Sequence, residues 1–353
     1  MSSPAPASPA PSSALPPAPP PAPAPLRPEQ ALVDDGPAAA DLPVCDHYCG
    51  TEARMRKALD LQAELGPLFD ITLDCEDGAP IGGEAEHAAL CAELALSTAN
   101  RHGRVGARVH PVDHPAFAAD VETLVGRAGD RLAFLMVPKP RDLADARRAI
   151  AHIEHVARVH GRGGGLPVHV LIETHGALRD VHAIAALPRI ESLSFGLMDF
   201  VSAHRGAIPQ TAMGVEGQFS HPLVVRAKLE IAAAAHACAK VPSHCVVTEF
   251  KDVQALAGAA HRAAREFGYT RMWSIHPAQI RTIVDAFAPT TAEVDEAIAI
   301  IMAAQDAHWA PIRHRDTLHD RASFRYFWQV LQRARRTGQP LPVEVTQRLF
   351  ADA

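Results

Sequence analysis

Charged side chains gather where the apolar, strand-like stretches of this sequence end. One such stretch, "FDITLDCEDGAP" at residues 69–80, closes on three carboxylates and contains no basic residue. Polar residues also lie at the ends of the later stretches, and the full set is Asp74, Glu76, Asp77, Arg108, His110, Lys139, Glu173, Asp199, Glu249 and His276. An unpaired buried charge costs several kcal/mol, so these groups must neutralise one another, face water or hold an ion.

The balance of charges favours a hard metal cation. Carboxylate-bearing strand ends outnumber the basic ones, and oxygen ligands are those that Mg2+ prefers, with Mn2+ as an alternative. Glu173 and Asp199 lie at the ends of successive strand-like runs and are the predicted ligands. Two carboxylates leave about four positions of an octahedral shell for water and substrate oxygens. A bidentate keto acid, or a carboxylate beside a thioester enolate, could bind there.

Short β-like runs alternate with Ala-rich helical runs, and this alternation must position the charged residues. The strand-like runs cover residues 42–48, 69–77, 105–111, 132–139, 168–174, 190–199, 243–250 and 271–277. Strand–helix units repeated eight times in about 245 residues are typical of the α/β class and predict a closed (β/α)8 TIM barrel. Active sites of such barrels lie at the C-terminal ends of the strands, where the charges gather.

Composition divides the chain into three parts. Residues 1–41 form a Pro/Ala-rich tail with too few large apolar groups to offset the entropy of ordering, and we predict that it is disordered. Residues 42–288 form the predicted barrel, and residues 289–353 form a predicted helical extension. In the extension, apolar residues recur at helical spacing, which predicts a face packed on the core or on a neighbouring subunit. They are Phe324, Phe327, Trp328 and Leu331.

Charge and cysteine usage exclude several classes of protein. A net charge of -6 does not favour nucleic-acid binding. The six cysteines form no C-x-x-C pair, which argues against zinc ribbons and disulfide scaffolds and fits a reducing cytoplasm. We find neither a signal-peptide pattern nor about 18 uninterrupted apolar residues, so we expect no membrane span.

Several segments resemble, in order and spacing, the motifs of a known family. The segments are "LDCEDGAP", "RVHP", "VPKP", "LIETHGAL", "SFGLMDF" and "SIHPAQI". They are similar to motifs of the citrate lyase beta-chain-like proteins within the HpcH/HpaI aldolase family. The resemblance implies a Mg2+-dependent carbon–carbon lyase or aldolase that assembles as a trimer or hexamer.

The resemblance also implies roles for individual residues. The carboxylates that match Glu173 and Asp199 would hold the metal, and the arginine that matches Arg108 would bind the oxygen on which enolate charge develops. A cation and a guanidinium aimed at that oxygen stabilise its charge in a water-poor pocket. We predict that Lys139 and His276 bind substrate together with Arg108.

The acids of the second strand then become supporting groups. Alternation along a strand places Asp74 and Glu76 on one side and Asp77 on the other. We predict that Asp74 and Glu76 hold metal-bound water and orient Arg108 during catalysis. The positive charge that the segment lacks would come from Arg108, Lys139 and the bound cation.

Two departures from the family pattern leave the substrate open. The family usually has Arg-x-Asn on the third strand, whereas this chain has Arg108-Val109-His110. His110 shares a face with Arg108 at period two, and could donate a hydrogen bond, shuttle a proton or serve as a structural histidine. The C-terminal tail does not match the short lid of acyl-CoA lyases in the family, so a CoA thioester, a free keto acid and an uncommon acyl donor all stay open.

Two functions are consistent with these residues. The first is a lyase that uses Mg2+ to cleave or form a 3-hydroxyacyl-CoA of the malyl or citramalyl type, or a related hydroxy-keto acid, through an enolate. The second is a barrel without catalysis that serves as a binding or assembly subunit.

Overall fold

A closed barrel of eight parallel strands forms the centre of the part of the chain that the structure describes. The computed structural model describes residues 25–32, 39–162 and 165–350. The strands pair in chain order, and the last one pairs with the first. They are β1 (Cys45–Cys49), β2 (Phe69–Asp74), β3 (Val105–Arg108), β4 (Leu135–Val137), β5 (Val168–Ile172), β6 (Ile190–Phe195), β7 (Val241–His244) and β8 (Arg271–Ser274). The predicted (β/α)8 barrel is confirmed.

Helices surround the barrel and cover the outer faces of its strands. A short helix, α1 (Pro28–Ala31), precedes the barrel and packs on the C-terminal extension. The helices of the first half of the barrel are α2 (Glu52–Leu65), α3 (Glu84–Leu96), α4 (Phe117–Ala128), α5 (Leu143–Val159), α6 (His175–Arg179) and α7 (Val181–Ala185). Those of the second half of the barrel are α8 (Leu197–Ser202), α9 (Pro222–Ala237), α10 (Val253–Arg265) and α11 (Pro277–Phe287). Two 3-10 turns, Gln210–Met213 and Gly217–Phe219, lie between α8 and α9. No described helix has the length and apolar character needed to span a bilayer.

Several strands are shorter than the runs predicted from the sequence. β4, β6, β7 and β8 all end before their predicted C-terminal residues. Asp199 therefore lies in α8, His276 lies at the start of α11, and Lys139 and Glu249 lie in loops. The predicted runs continue as apolar or extended sequence, and periodicity alone does not show where strand pairing stops.

The N-terminal half of the barrel interior contains a buried ionic network that no sequence pattern indicated. Arg271 is fully buried, and its Nη1 lies 2.6 Å from Oδ2 of Asp70. Its Nη2 lies 3.1 Å from Oδ2 of Asp46, and Arg104 Nε lies 2.7 Å from Oδ1 of Asp70. These charges neutralise one another beneath the C-terminal ends of the strands, while apolar side chains fill the space between strands and helices.

The C-terminal extension has an apolar cluster of its own. Its elements are α12 (Thr291–Asp306), the hairpin of β9 (Ile312–His314) and β10 (Thr317–His319), α13 (Arg321–Arg336) and α14 (Val343–Leu349). Phe324, Trp328 and Leu331 are buried in this cluster and Phe327 packs against it, as their helical spacing predicts. The helical extension is confirmed, and the short antiparallel hairpin is an addition that was not predicted.

Part of the predicted tail is folded onto this extension. The helix α1 leads into Leu32, which is buried in the same apolar cluster. The backbone carbonyl of Leu26 accepts a hydrogen bond from Trp309 Nε1 at 3.0 Å. The prediction of disorder is therefore wrong for this segment, because contacts with distant helices hold it and local composition does not encode them. Residues 1–24 and 33–38 lie outside the described residues.

Candidate active site

The C-terminal end of β2 is a turn built around the carboxylate of Asp74. Its Oδ1 accepts the backbone N–H of Glu76 at 2.9 Å, and its Oδ2 accepts that of Gly78 at 2.9 Å. A Cβ added to Gly78 would overlap Oδ2 of Asp74, so this close approach requires glycine. Aspartate side chains often capture nearby backbone N–H groups in this way. The "DCEDG" segment is therefore shaped by its own first carboxylate.

Arg108, the last residue of β3, is held by Asp74 in a bidentate ion pair. The Arg108 Nε donates to Oδ1 at 2.7 Å, and Nη2 donates to Oδ2 at 2.5 Å. The remaining nitrogen, Nη1, lies 3.1 Å from Oε2 of Glu76. Burial on its own would lower the pKa of Arg108, but the Asp74 carboxylate, with further support from Glu76, raises it. The structure thus places Asp74 and Glu76 around a guanidinium that is permanently charged.

Lys139 connects the acids after β2 with the ends of β5 and β6. Its Nζ lies 2.6 Å from Oε1 of Glu76 and 2.6 Å from Oδ2 of Asp77. It also lies 3.6 Å from Oδ1 of Asp199. Burial on its own would lower the pKa of Lys139, whereas hydrogen bonds to Asp77 and Glu76 raise it. Because β2 ends at Asp74, strand alternation does not separate Asp77 from Glu76 as predicted, and one ammonium binds both.

Glu173 follows β5 and is almost completely buried. Its Oε1 accepts the backbone N–H of Lys139 at 2.8 Å. A Cβ on Gly196, which follows β6, would overlap Oε2 of Glu173, so glycine at this position makes room for the carboxylate. Burial, and then the charge of Asp199, raise the pKa of Glu173 to about 8. A carboxyl group is therefore held in a place where its ionisation needs a nearby positive charge.

Asp199 lies in the first turn of α8, and its side chain is 43% exposed. It is close enough to Glu173 for its charge to raise the pKa of that residue. A hard divalent cation between the two carboxylates would relieve their repulsion and keep coordination positions for water and substrate oxygens. The donor set therefore fits Mg2+ or Mn2+.

His110 is anchored by a residue that no sequence pattern indicated. Asp120 of α4 is almost completely buried, and its Oδ2 hydrogen bonds with Nδ1 of His110 at 2.6 Å and with its backbone N–H at 2.9 Å. The imidazole stacks on that of His114, with ring centroids 4.2 Å apart. Because β3 ends at Arg108, alternation does not fix the direction of His110. These contacts hold His110 against α4 while Arg108 binds the acids of β2.

Two further predicted residues lie at the rim of the barrel. His276 is exposed, and its Nδ1 accepts the backbone N–H of Ala278 at 3.2 Å, which caps α11. Its ring stacks on Phe250, with centroids 5.1 Å apart. Glu249 accepts the backbone N–H of Val215 at 3.3 Å and so links the loop after β7 to the 3-10 turns. The capping contact gives His276 a structural role, and substrate binding by this residue stays a prediction.

An aromatic wall inside the barrel was also not predicted. Tyr48 of β1 stacks on Trp273 of β8 with ring centroids 4.3 Å apart, and its hydroxyl donates to the sulfur of Met136. Phe134 and Leu171 complete this buried cluster. Because β1 and β4 are not neighbours, the contact crosses the barrel interior. The signal in the sequence is an aromatic residue in the strand runs of β1, β4 and β8, whereas the charged strand ends alone do not indicate this wall.

The cluster can stabilise negative charge on a substrate oxygen. The Arg108 guanidinium lies over the ring of Tyr48, with Cζ 5.3 Å from its centroid, so an apolar surface borders the cation. A fixed guanidinium beside a carboxylate pair at the mouth of a (β/α)8 barrel is an arrangement suited to an oxyanion or enolate held with the help of a metal. The fold and the cluster therefore indicate a barrel enzyme whose site suits metal-assisted binding of an anionic oxygen.

Comparisons with known proteins agree with this class. A sequence profile described as HpcH/HpaI aldolase/citrate lyase matches residues 70–277. The crystal structure of a citrate lyase from Burkholderia xenovorans LB400 is 55% identical, with a TM-score of 0.80, and the match covers 92% of this chain and 100% of that chain. An L-malyl-CoA/beta-methylmalyl-CoA lyase from Cereibacter sphaeroides is 28% identical over 250 residues, which are 67% of this chain and 77% of the relative.

A more distant structure shows the same fold. CitE from Mycobacterium tuberculosis, in complex with magnesium, acetoacetate and coenzyme A, has a TM-score of 0.63 at 20% identity, covering 84% of this chain and 98% of that chain. The profile match and the relatives together show that this chain belongs to the HpcH/HpaI aldolase/citrate lyase family. The predicted family and the predicted enzyme class, a lyase, are both confirmed.

Proposed function

We propose that this lyase uses Mg2+ to cleave or form the carbon–carbon bond of a 3-hydroxyacyl-CoA of the malyl or citramalyl type, or of a related hydroxy-keto acid. The similarity to the L-malyl-CoA/beta-methylmalyl-CoA lyase supports this substrate class. The observation that carries the proposal is the position of Arg108. Asp74 fixes its guanidinium close enough to Glu173 for the positive charge to favour ionisation of that carboxyl. Lys139 donates its backbone N–H to Glu173, and its ammonium lies 3.6 Å from Asp199.

Cleavage of the bond between C2 and C3 of such a substrate produces an enolate. In cleavage, the 3-hydroxyl loses its proton, the bond between C2 and C3 breaks, and C3 becomes a carbonyl carbon. The electron pair of the broken bond becomes an enolate whose charge lies on the thioester or ketone oxygen. A proton added to C2 then completes the released product. An N–H donor aimed at that oxygen stabilises the transition state more than the ground state.

Arg108 is the residue that supplies this donor. Asp74 binds its Nε and Nη2, which leaves the Nη1 edge for a substrate oxygen. Glu76 approaches Nη1 only as an ion pair at 3.1 Å, so a substrate oxygen can share that nitrogen. The bidentate contact with Asp74 prevents the guanidinium from turning away while charge develops.

Lys139 provides the second positive charge of the site. Its ammonium contacts carboxylates after β2 and lies near Asp199, so it is placed where a carboxylate of the substrate would also bind. The backbone of Lys139 has φ 49°, a left-handed conformation that is costly for a residue with a side chain. The strained backbone directs its N–H to Glu173, so one residue orients both the metal ligand and the substrate.

Glu173 and Asp199 would hold the metal ion, with Mn2+ as the alternative to Mg2+. When bound, the ion supplies Lewis acidity that polarises a coordinated carbonyl oxygen. Glu173 must release its proton to act as a ligand, and its raised pKa makes this step dependent on pH. Gly196 keeps the space that its carboxylate needs.

The aromatic wall keeps water from the reacting atoms. Tyr48 and Trp273 are buried and stack on each other, and Arg108 lies over the ring of Tyr48. Electrostatic contacts between Arg108 and a developing enolate are stronger in such a place than in water.

We further propose that the enzyme works in the cytoplasm as a homo-oligomer, a trimer or hexamer. All six cysteines of the chain are free thiols in the structure, as is typical of proteins from a reducing compartment. Sedimentation or light scattering of the purified protein measures the assembly directly. A monomer at micromolar concentration contradicts this part of the proposal.

The proposed reaction is tested by product release. Candidate malyl and citramalyl thioesters and hydroxy-keto acids are incubated with the enzyme, and glyoxylate, pyruvate and acetyl-CoA are measured with Mg2+ and with EDTA. We expect turnover that EDTA abolishes, that added Mg2+ restores, and that Asp199→Asn loses. Asp316→Asn, in the exposed turn of the hairpin, is the matched control and should keep full activity. Turnover that persists in EDTA contradicts the role of Glu173 and Asp199.

A further inference from the structure

Three side chains with sulfur or nitrogen donors lie close together between the C-terminal end of β2 and helix α3. Cys75 follows β2, whereas His87 and Cys91 lie one turn apart on α3, a spacing that places both on one face of the helix. One donor atom from each residue lies within 4.8 Å of the other two. Both thiols are buried, and His87 is half-buried. None of the three contributes to the lyase chemistry described above.

We propose that Cys75, His87 and Cys91 form a second metal site, which takes a thiophilic divalent cation of the zinc class and is separate from the carboxylate site. The distance between the two sulfurs, 3.7 Å, supports coordination. Zn–S bonds of about 2.3 Å in a tetrahedron place two sulfurs about 3.8 Å apart. An ion of this size can therefore enter without movement of either thiol, whereas a disulfide would need the sulfurs at about 2.05 Å.

His87 is oriented as a metal-binding histidine would be. Its Nε2 hydrogen bonds with the backbone carbonyl of Asp74 at 2.9 Å, which leaves Nδ1 as the nitrogen available to an ion. Histidine ligands usually donate their second N–H to a carbonyl or carboxylate, because that bond fixes the tautomer and the ring. A metal ion at this site would therefore be bound by His87, which contacts the backbone of Asp74, and by Cys75, which is next to Asp74 in the chain.

The hydrogen bond between the two thiols shifts their pKa values in opposite directions. A hydrogen bond from Cys75, with a further contribution from His87, lowers the pKa of Cys91 to about 7. The same hydrogen bond, together with burial, raises the pKa of Cys75. The thiolate is the form of cysteine that binds metals, and a bound cation itself favours loss of the thiol proton. Two sulfurs and one imidazole leave a position of a tetrahedral shell open, and they favour zinc over Mg2+.

The site is tested with Co2+, which reports its ligands through its absorption spectrum. The reduced, metal-free, full-length enzyme is titrated with Co2+ in a large excess of Mg2+, so that the carboxylate site is already filled. We expect one Co2+ per chain, an intense near-ultraviolet absorption from thiolate-to-cobalt charge transfer, and visible bands of tetrahedral strength. Zn2+ should displace the Co2+ and remove these bands.

Variants show whether the three residues are the ligands. Cys75→Ser and Cys91→Ser should each lose the charge-transfer absorption, and His87→Asn should weaken it. Cys238→Ser, which removes a thiol outside the cluster, should leave it unchanged. If a cysteine variant does not fold, as judged by circular dichroism, His87→Asn decides the matter because His87 is only half-buried. A wild-type enzyme without thiolate absorption, or absorption that survives in Cys75→Ser and His87→Asn, overturns the proposal.

Discussion

Asp74 holds the guanidinium of Arg108 through two hydrogen bonds while it accepts backbone N–H groups from its own loop. One carboxylate thereby fixes both the segment that carries Glu76 and the cation that we propose binds the substrate oxygen. Two parallel bonds define the plane of the guanidinium, which a single bond would not. In the proposed mechanism, Asp74 is a positioning residue that acts through Arg108.

Asp74→Asn should lower kcat with a smaller effect on KM. An amide cannot accept both hydrogen bonds from Arg108, so the guanidinium loses its fixed orientation toward the developing enolate. We expect a decrease in kcat of about 100-fold, the size found when one oxyanion donor is lost. Steady-state kinetics measures it, with Asp316→Asn as the control on the hairpin. Equal kcat values for Asp74→Asn and the wild type would show that the orientation of Arg108 does not limit the reaction.

The affinity for Mg2+ should rise with pH. Burial and the charge of Asp199 raise the pKa of Glu173 to about 8, so its carboxyl is largely protonated below that pH and must lose a proton to bind the ion. Calorimetry from pH 6.5 to 8.5 should show affinity increasing by up to about tenfold per pH unit below the pKa. Glu173→Gln should bind Mg2+ weakly at every pH. A flat profile for the wild-type enzyme would argue against Glu173 as a ligand.

Gly196→Ala should disrupt the metal site while leaving the barrel intact. The new Cβ would overlap Oε2 of Glu173, so the carboxylate must turn away from Asp199. We expect Mg2+ binding by calorimetry to fall to the level of Glu173→Gln. The matched control is Gly258→Ala on α10, where a Cβ meets no atom within 4 Å and alanine favours the helix. If Gly196→Ala binds Mg2+ as tightly as the control, the close contact is not required.

Arg271→Leu should destabilise the fold strongly. Its guanidinium is buried between Asp46 and Asp70, and removal of one partner leaves buried carboxylates without their counter-charge. Breaking such a pair costs about 3–5 kcal/mol of unfolding free energy. Arg56→Leu, which breaks an exposed pair with Glu52, should change stability little. Urea unfolding of both variants gives the comparison, and similar midpoints would contradict a stabilising role for the interior network.

The sequence was sufficient to predict the residues at the mouth of the barrel. Parallel strands of a (β/α)8 barrel end at one face, so Arg108, Glu173 and the acids after β2 could be placed together from their positions alone. Asp199 was predicted at the correct face of the barrel, but on a strand instead of in α8. Its apolar neighbours continue the strand-like pattern beyond Phe195, where the pairing of β6 ends. The requirement for glycine at Gly78 and Gly196 is visible only in the structure, where the carboxylates of Asp74 and Glu173 approach their backbones closely.

Contacts between residues distant in the chain were not predictable from local pattern. Asp120 anchors His110 across a loop, and Arg271 pairs with acids more than two hundred residues earlier. His87 and Cys91 showed helical spacing in the sequence, but Cys75 joins them only because α3 packs on the end of β2. Such pairs depend on how the elements pack, which composition and periodicity do not specify.

Formation of the enolate is the central claim, and hydrogen exchange with solvent tests it directly. Acetyl-CoA, propionyl-CoA and pyruvate are incubated in D2O with the enzyme and Mg2+, and deuterium at the carbon next to the carbonyl is followed by NMR. We predict exchange in at least one of them that EDTA abolishes and that Arg108→Lys lowers by about 100-fold, because lysine cannot reproduce the bidentate contact with Asp74. No exchange in any of the three, or exchange that neither EDTA nor Arg108→Lys changes, would contradict an enolate stabilised at this site.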